Sequence, residues 1–292
     1  MSRIPRISIG MPVYNGAKWV EGALDSLLGQ SVTDLELIIS DNASTDDTEA
    51  ICRRVAEHDA RVRYHRNATN IGVLRNYDQA FHMSRAPFFK WASCSDICLD
   101  GFLERCLDVL ESRDDVVVAY PRTIAILSPP GGEEHAEEWD DDLDLQDEQP
   151  SVRFREYLNR ERINNVMSGV IRASALRQTA LNRPLPGSDI SMMAELALRG
   201  KFVEVPERLY VRRLNKETTG HLMGQGAAIS MGHPGAPNNR QRLALHSYRF
   251  VTAWRAPIPL SEKVHVWLHL LRRVVWLRHR AFNKLLSIVG IR

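Results

Sequence analysis

Apolar and polar positions along residues 7–120 alternate in a way that predicts one element after another. Ile7-Ser8-Ile9-Gly10-Met11-Pro12 is a short β-type run closed by proline and followed by the Tyr14-Asn15-Gly16 turn signal. Trp19, Val20, Ala23, Leu24, Leu27 and Leu28 then recur at the three- and four-residue spacing of a helix with one buried face. Leu35–Ser40 reads as the next strand, and a helix carrying Ala50, Ile51 and Val55 follows the Asp41-Asn42-Ala43-Ser44 turn. Further strands are predicted at Arg61–His65, Phe88–Ala92 and Val116–Tyr120, with helices over Asn76–Ser84 and Gly101–Ser112 between them. Strand alternating with helix implies βαβ units in a mostly parallel sheet, flanked by helices. In such sheets ligands collect beyond the carboxyl ends of the strands, so the loops after Met11, Ser40 and Trp91 are where a site is expected.

Past Tyr120 the pattern is less regular. Glu133–Glu148 is strongly acidic and reads as a solvated excursion. Order resumes at Val152–Leu158, Val166–Leu176 is mixed, Ser188–Leu198 looks helical and Phe202–Val211 extended. Gly, Pro and small residues dominate 220–239, the composition of a linker or lid. This divides the chain into a domain over 1–219, the linker 220–239 and a basic helical extension over 240–292.

Charge changes the picture of that extension. The formal net charge is only +2, yet residues 240–292 hold eleven Lys/Arg against the single acid Glu262. A basic tail on an acidic body points to an anionic partner. Leu260–Ile291 reads as one or two amphipathic helices in which Trp267, Leu268, Leu271, Val274, Val275, Leu285 and Leu286 interleave with Arg272, Arg273, Arg278, Arg280 and Lys284. That is the pattern of a helix lying in a membrane interface, or of one packed on the domain or a second copy with its basic face outward. No nucleic-acid motif accompanies it, so nucleic acid is not an expected partner. Met1–Arg6 lacks the apolar run of a secretory signal, and no stretch approaches the ~20 apolar residues of a membrane span. Cys52, Cys94, Cys98 and Cys106 read as reduced thiols without zinc-knuckle spacing. A cytoplasmic protein, peripheral on the inner face of the membrane, is the expectation.

The order Ile7–Gly16, then Ser26-Leu27-Leu28-Gly29-Gln30-Ser31, then Glu36–Thr48 resembles the inverting glycosyltransferases of family 2, and the likeness runs through roughly residues 5 to 215. The resemblance implies a GT-A fold, a nucleotide-sugar donor and an Mg²⁺ or Mn²⁺ ion. It places Pro12, Tyr14, Asn15 and Asp41 at the nucleoside, with Asn70, Gly72 and Arg75 in the following segment. Asp41 can accept the imide N–H of uracil or thymine; without the resemblance it reads as a helix cap. Arg75 reads equally as a diphosphate partner or a solvated charge.

The family's carboxylate cluster, which holds the metal against the diphosphate, falls on Ser93-Cys94-Ser95-Asp96. Here only Asp96 is a carboxylate, because Ser95 precedes it. Asp189, opening a helix after Pro186-Gly187-Ser188, matches the segment that supplies the catalytic base, and it is also a good helix cap. In Pro206–Asn215 either Arg212 or Arg213 could neutralise the diphosphate. Asn215 stands where relatives often carry a histidine, a role His221 could take. The implied reaction moves a sugar from a UDP- or dTDP-sugar to a glycan or lipid-linked acceptor in envelope or exopolysaccharide synthesis. The thinned carboxylate cluster leaves open a non-catalytic relative that binds a nucleotide or a partner.

Overall fold

The computed structural model describes residues 3–127, 133–161, 164–183, 185, 187–214 and 239–288, with backbone alone for 239, 242–243 and 276–288. Its first half follows the expected alternation: β1 (Ile7–Val13), α1 (Val20–Leu28), β2 (Leu35–Asp41), α2 (Thr48–His58), β3 (Val62–Arg66), α3 (Val73–His82), β4 (Phe88–Trp91), β5 (Ile97–Cys98) and α4 (Phe102–Ser112). The rest comprises β6 (Val116–Leu127), β7 (His135–Trp139), α5 (Pro150–Arg160), a 3-10 turn (Asn165–Ser168), β8 (Val170–Arg172), α6 (Ala173–Leu176), α7 (Ser188–Ala197), β9 (Lys201–Leu214), α8 (Asn239–Arg255) and α9 (Leu260–Ile288).

One nine-stranded sheet runs β3-β2-β1-β4-β8-β6-β9-β5, with β7 on β6. The β3-β2-β1-β4 half is parallel, β8 enters antiparallel, and β6 and β9 are again parallel to each other. Side chains alternate across the sheet as the two-residue strand period requires. From β4, Phe88 joins the core formed with α1 and α4, whereas Phe89 and Trp91 join the core formed with α5 and α7. Every residue of β1 and β2 is buried, so Glu36 has to be neutralised inside: Ser8 Oγ donates to it at 2.6 Å, and Arg63 and Arg85 lie at 3.1 and 3.0 Å.

The structure departs from the sequence expectation in several places. Helix α3 begins at Val73, three residues earlier than expected, because Gly72 takes φ +87° and starts the helix there. Strand β6 runs on to Leu127, and the acidic stretch, whose acids are exposed as expected apart from Asp141, is anchored to the sheet rather than an excursion. Its β7 pairs with β6 from Thr123↔Trp139 to Leu127↔His135. Beyond it Leu143 and Leu145 are buried, and Leu145 exchanges backbone hydrogen bonds with Phe202 at 3.0 and 3.1 Å. Arginines of neighbouring strands offset the acids: Arg208 reaches Glu138 and Asp140 at 2.9 Å each, and Arg213 reaches Glu134 at 3.1 Å.

The tail is two helices, and one face of it belongs to the main core. Ala253, Ala256, Val266 and Leu270 are buried with α5 and α7. Glu262 accepts the Ser151 N–H at 2.8 Å, and Arg273 donates to the Leu158 carbonyl at 3.0 Å. The opposite face, with Trp254, Leu260, Val264, Leu271 and Val275, is exposed. Among the described residues no helix is long and apolar enough to cross a membrane.

Gly169 sits where the 3-10 turn meets β8, and a Cβ there would fall 2.6 Å from the Ala119 carbonyl and 2.7 Å from Tyr120 Cβ. Backbone and Cβ cannot swing aside. Gly169→Ala is expected to cost about 1–3 kcal/mol, seen as a lower urea midpoint at unchanged m-value.

Candidate active site

At the carboxyl ends of β1 and β2 the chain stitches its loops together. Asn15, at φ +52°, accepts the Thr45 N–H on its side chain at 2.8 Å and donates its own backbone N–H to Ser44 Oγ at 3.0 Å. Gly16 N–H reaches Thr48 Oγ1 at 2.8 Å, and Ala17 N–H reaches Asp46 at 3.1 Å. A Cβ on Gly16 would lie 2.9 Å from Cys94 Sγ, so the loop after β4 closes against the same edge. Tyr14 stands above this floor with 49% of its surface exposed. Pro12, inside β1, is buried.

Asp41 is wholly buried at the end of β2, where its carboxylate accepts the Ser44 N–H at 2.9 Å and the Tyr64 hydroxyl at 2.6 Å. Burial, then this bond, drives the Tyr64 phenol far above its ordinary pKa. Next to it lies an asparagine network that sequence reading missed. Asn42 accepts the Ile71 N–H and donates to Asn70 Oδ1, both at 2.8 Å; Asn70 Oδ1 also accepts the Gly72 N–H at 2.9 Å. Asn76 donates to the Ser40 carbonyl at 2.8 Å and accepts Ser40 Oγ at 2.7 Å and Asn67 at 3.0 Å. The run Asn67-x-x-Asn70-x-Gly72…Asn76 was the available signal: amides both donate and accept, which is what a buried loop needs. Arg75 points outward on α3, exposed and apart from this network.

Asp96 is 8% exposed and is held from β9. The Tyr210 hydroxyl donates to its Oδ2 at 2.5 Å, and the Arg213 N–H donates to Oδ1 at 3.1 Å. Tyr210 is held in turn by Ser168 Oγ at 3.0 Å and by the buried Lys90, whose ammonium lies 5.2 Å from the Tyr210 ring and 4.2 Å from that of Phe102. Lys90 also donates to the Ser168 carbonyl. A lysine in the middle of the apolar run Phe88–Ala92 was the visible clue to this arrangement.

Asp189 occupies the first turn of α7, 8% exposed, and accepts Asn164 Nδ2 at 2.9 Å. Asn164, at φ +52°, accepts the Tyr157 hydroxyl at 2.6 Å. Two further carboxyls gather here. Burial, then the Asp189 charge, pushes Glu161 up to about 7, against the pull of Arg249. Burial raises Asp141 to about 6, opposed by Asn165 and Arg212. Arg212 donates to Asn165 Oδ1, whereas Arg213 lies over the Trp19 ring at 4.7 Å and pairs with Glu134. Of the two arginines, then, Arg212 faces the acids and Arg213 the surface. Tyr77 on α3 connects the groups: burial first, then the charges of Asp96, Cys94, Arg212 and Asp189 act on its phenol. Asn215 and His221 lie outside the described residues.

The donor set suits a hard divalent ion only with help from a ligand. Among the described residues no cluster of three His, Cys, Asp or Glu side chains forms a ready-made metal site. Asp96 Oδ2 keeps a lone pair beside its bond from Tyr210, whereas Oδ1 accepts both the Arg213 N–H and the Ser95 hydroxyl, and Mg²⁺ is commonly held by one or two carboxylates plus substrate phosphates and water. Asp96 therefore fits as a single protein ligand.

The family model Glycosyl transferase family 2 matches residues 8–183. A chondroitin synthase of Escherichia coli is 33% identical over 119 residues, 41% of this chain and 17% of that longer protein. The crystal structure of S. aureus TarS 1-349 in complex with UDP matches with a TM-score of 0.65 at 15% identity, covering 92% of this chain and 71% of that one. The mannosyltransferase PcManGT from Pyrobaculum calidifontis, in complex with GDP-Man and Mn²⁺, matches at TM-score 0.57 and 15% identity, covering 100% and 82%. At such identities the likeness is one of fold, the GT-A fold.

The raised Glu161 carboxyl gives a stability signature. Between its ordinary value of 4.5 and about 7 the folded chain keeps a proton that the unfolded chain releases. Stability therefore falls as pH rises through that window. Glu161→Gln is expected to flatten the fall and to gain most over wild type above neutrality, as read from urea midpoints across pH. Asp141 adds a fall of the same one-proton slope between 3.8 and about 6.

Proposed function

This chain belongs to glycosyl transferase family 2, and from that membership and the site above we propose that it transfers a sugar from a UDP- or dTDP-sugar to an acceptor hydroxyl with inversion. The observation that carries this reading is that Asp96 and Asp189 are both tied to the short segment 164–168, Asp96 through the Tyr210 hydroxyl shared with Ser168 and Asp189 through Asn164. Two carboxylates held by different elements thus flank one turn at the middle of the sheet.

In this reading the base lies on Tyr14, bordered by Pro12 and Asn15. Asp41 shapes the floor by holding the Ser44 turn, and it offers its remaining lone pairs to the imide N–H. Because Asp41 is fully buried, that contact requires the turn at Ala43, held at φ +63°, to shift. Asn70 and Gly72 line the neighbouring loop, and Arg212 supplies positive charge toward the diphosphate, whereas Arg75 stays on the exposed surface of α3. Asp96 would hold Mg²⁺ or Mn²⁺, which as a Lewis acid offsets charge on the diphosphate. Asp189 takes the proton from the acceptor hydroxyl as that oxygen bonds to the anomeric carbon. The bond from carbon to the diphosphate oxygen breaks, and its electron pair leaves with the nucleotide. Asn164 fixes one Asp189 oxygen and so aims the other, and the helix start is a place that favours negative charge.

The acceptor is a glycan or lipid-linked intermediate of envelope or exopolysaccharide synthesis, met at the cytoplasmic face of the membrane. The exposed apolar face of α8 and α9 with its arginines supports that location. Ser95, whose Oγ sits 3.3 Å from Asp96 where a second carboxylate would strengthen the metal site, favours one alternative: a non-catalytic nucleotide binder.

Release of nucleoside diphosphate from UDP-, dTDP- and GDP-sugars, with Mn²⁺, Mg²⁺ or EDTA, separates the two. One donor is expected to be turned over slowly. Asp189→Asn should slow it by about 10²–10⁴, and Asp96→Asn should weaken metal dependence along with rate. Nucleotide binding without turnover of any donor, acceptor glycans included, would establish the binder instead.

A further inference from the structure

Between the start of α5 and one face of α9 lies a cavity of about 300 Å³, open to solvent on one side, among whose lining residues are Ser151, Arg155, His265, Leu268, His269 and Arg272. That size lies at the lower end of the ~300–1,000 Å³ of small-molecule sites. Its lining carries cations and no carboxylate. Two acids border it and take up part of this charge: Glu156 pairs with the lining Arg155 at 3.1 Å and with Arg160 at 2.9 Å, and Glu262 accepts the Ser151 N–H and lies 3.8 Å from His265, so an entering phosphate would share Arg155 with Glu156. His269 Nε2 is buried without a hydrogen-bond partner, an orphan of the kind that ordinarily marks an unmet donor or acceptor.

Electrostatics agree with this geometry. Burial first, then the charges of Arg273, Arg155 and Arg272, hold His269 down to about 4, with Glu156 alone pulling the other way. Burial does most to keep the ring neutral, and the surrounding arginine charge adds to it. An anion entering the cavity would reverse that balance and let His269 protonate and donate.

The surroundings indicate where such an anion comes from. Leu260, Val264, Trp267, Leu271 and Val275 are exposed at the three- and four-residue spacing of one α9 stripe, and Trp254 of α8 stacks at 5.3 Å on Trp267. Leu268 belongs both to this stripe and to the cavity wall. At 100° per residue, Arg272 and His265 come next around the helix. An apolar strip and a cationic hollow thus share one edge, as acyl chain and phosphate do in a lipid.

We infer that the cavity between α5 and α9 binds a phosphate group through Arg155, Arg272 and His269, the phosphate being that of an anionic lipid headgroup or of a free phosphorylated molecule. The apolar rim favours the lipid. This site is separate from the Asp96–Asp189 centre and does not rest on the transferase reading.

Histidine NMR on the full chain tests it, with the His269 ring signal assigned by its loss in His269→Gln. Inorganic phosphate is one probe and short-chain phosphatidylglycerol the other. Saturation is expected to raise the His269 titration midpoint by about one unit or more, and R155Q/R272Q, which alters side chains at the cavity mouth, should abolish the rise while His269 keeps the part of its shift that burial imposes. A rise with lipid alone identifies a headgroup; a rise with inorganic phosphate as well identifies a general phosphate site. A midpoint that neither probe moves, or that moves equally in R155Q/R272Q, overturns the proposal.

Discussion

A carboxylate removed from water must be given donors, and this requirement organises the edge of the sheet. Asp41 takes its donors from the Ser44 turn and from Tyr64 of β3; Asp96 takes its donors from Tyr210 and Arg213 of β9. Asp41 ties its own turn to the adjacent β3, and Asp96 ties the loop after β4 to β9. The second of these joins the parallel half of the sheet to the mixed half across the site, and both hold loops that would face a nucleotide.

The second half of the site is built on opposite terms. Asp141, Glu161 and Asp189 crowd one wall, and burial keeps the first two partly protonated well above the ordinary carboxyl range. Arg249 of α8, itself held down to about 10 by burial and by Arg273, donates to Ser191 at 2.9 Å and supplies the compensating charge. The tail is therefore no separate appendage: its inner face completes the wall behind Asp189, while its outer face carries the exposed tryptophans and the cationic cavity.

Much of this was legible in the sequence, and the limits have physical reasons. Strict alternation of short strands and helices through Tyr120 conveyed the parallel half, since local periodicity reports which face is buried. The ordered motifs conveyed the family. What stayed hidden were partners distant along the chain: Asp96 and Tyr210 are 114 residues apart, and no local pattern links them. The anchoring of the acidic stretch to the sheet stayed hidden because the arginines that offset its exposed acids sit on β9. Asn67 and Asn76 read as loop and helix residues because amide networks leave no periodic trace. Lys90 was conspicuous, a charge inside an apolar strand, yet its use in positioning Tyr210 emerges only from the packing.

Whether the loops after β1, β2 and β4 form one nucleotide floor is most directly read by hydrogen exchange with and without UDP and Mn²⁺. Slowed exchange concentrated in residues 13–17, 42–48 and 93–98 is the expected pattern, because the Asn15, Gly16 and Ser44 amides already point into that floor. Protection that leaves these segments unchanged, whether absent or confined to another surface, would contradict the placement of the donor and with it the assignment of Asp96 and Asp189.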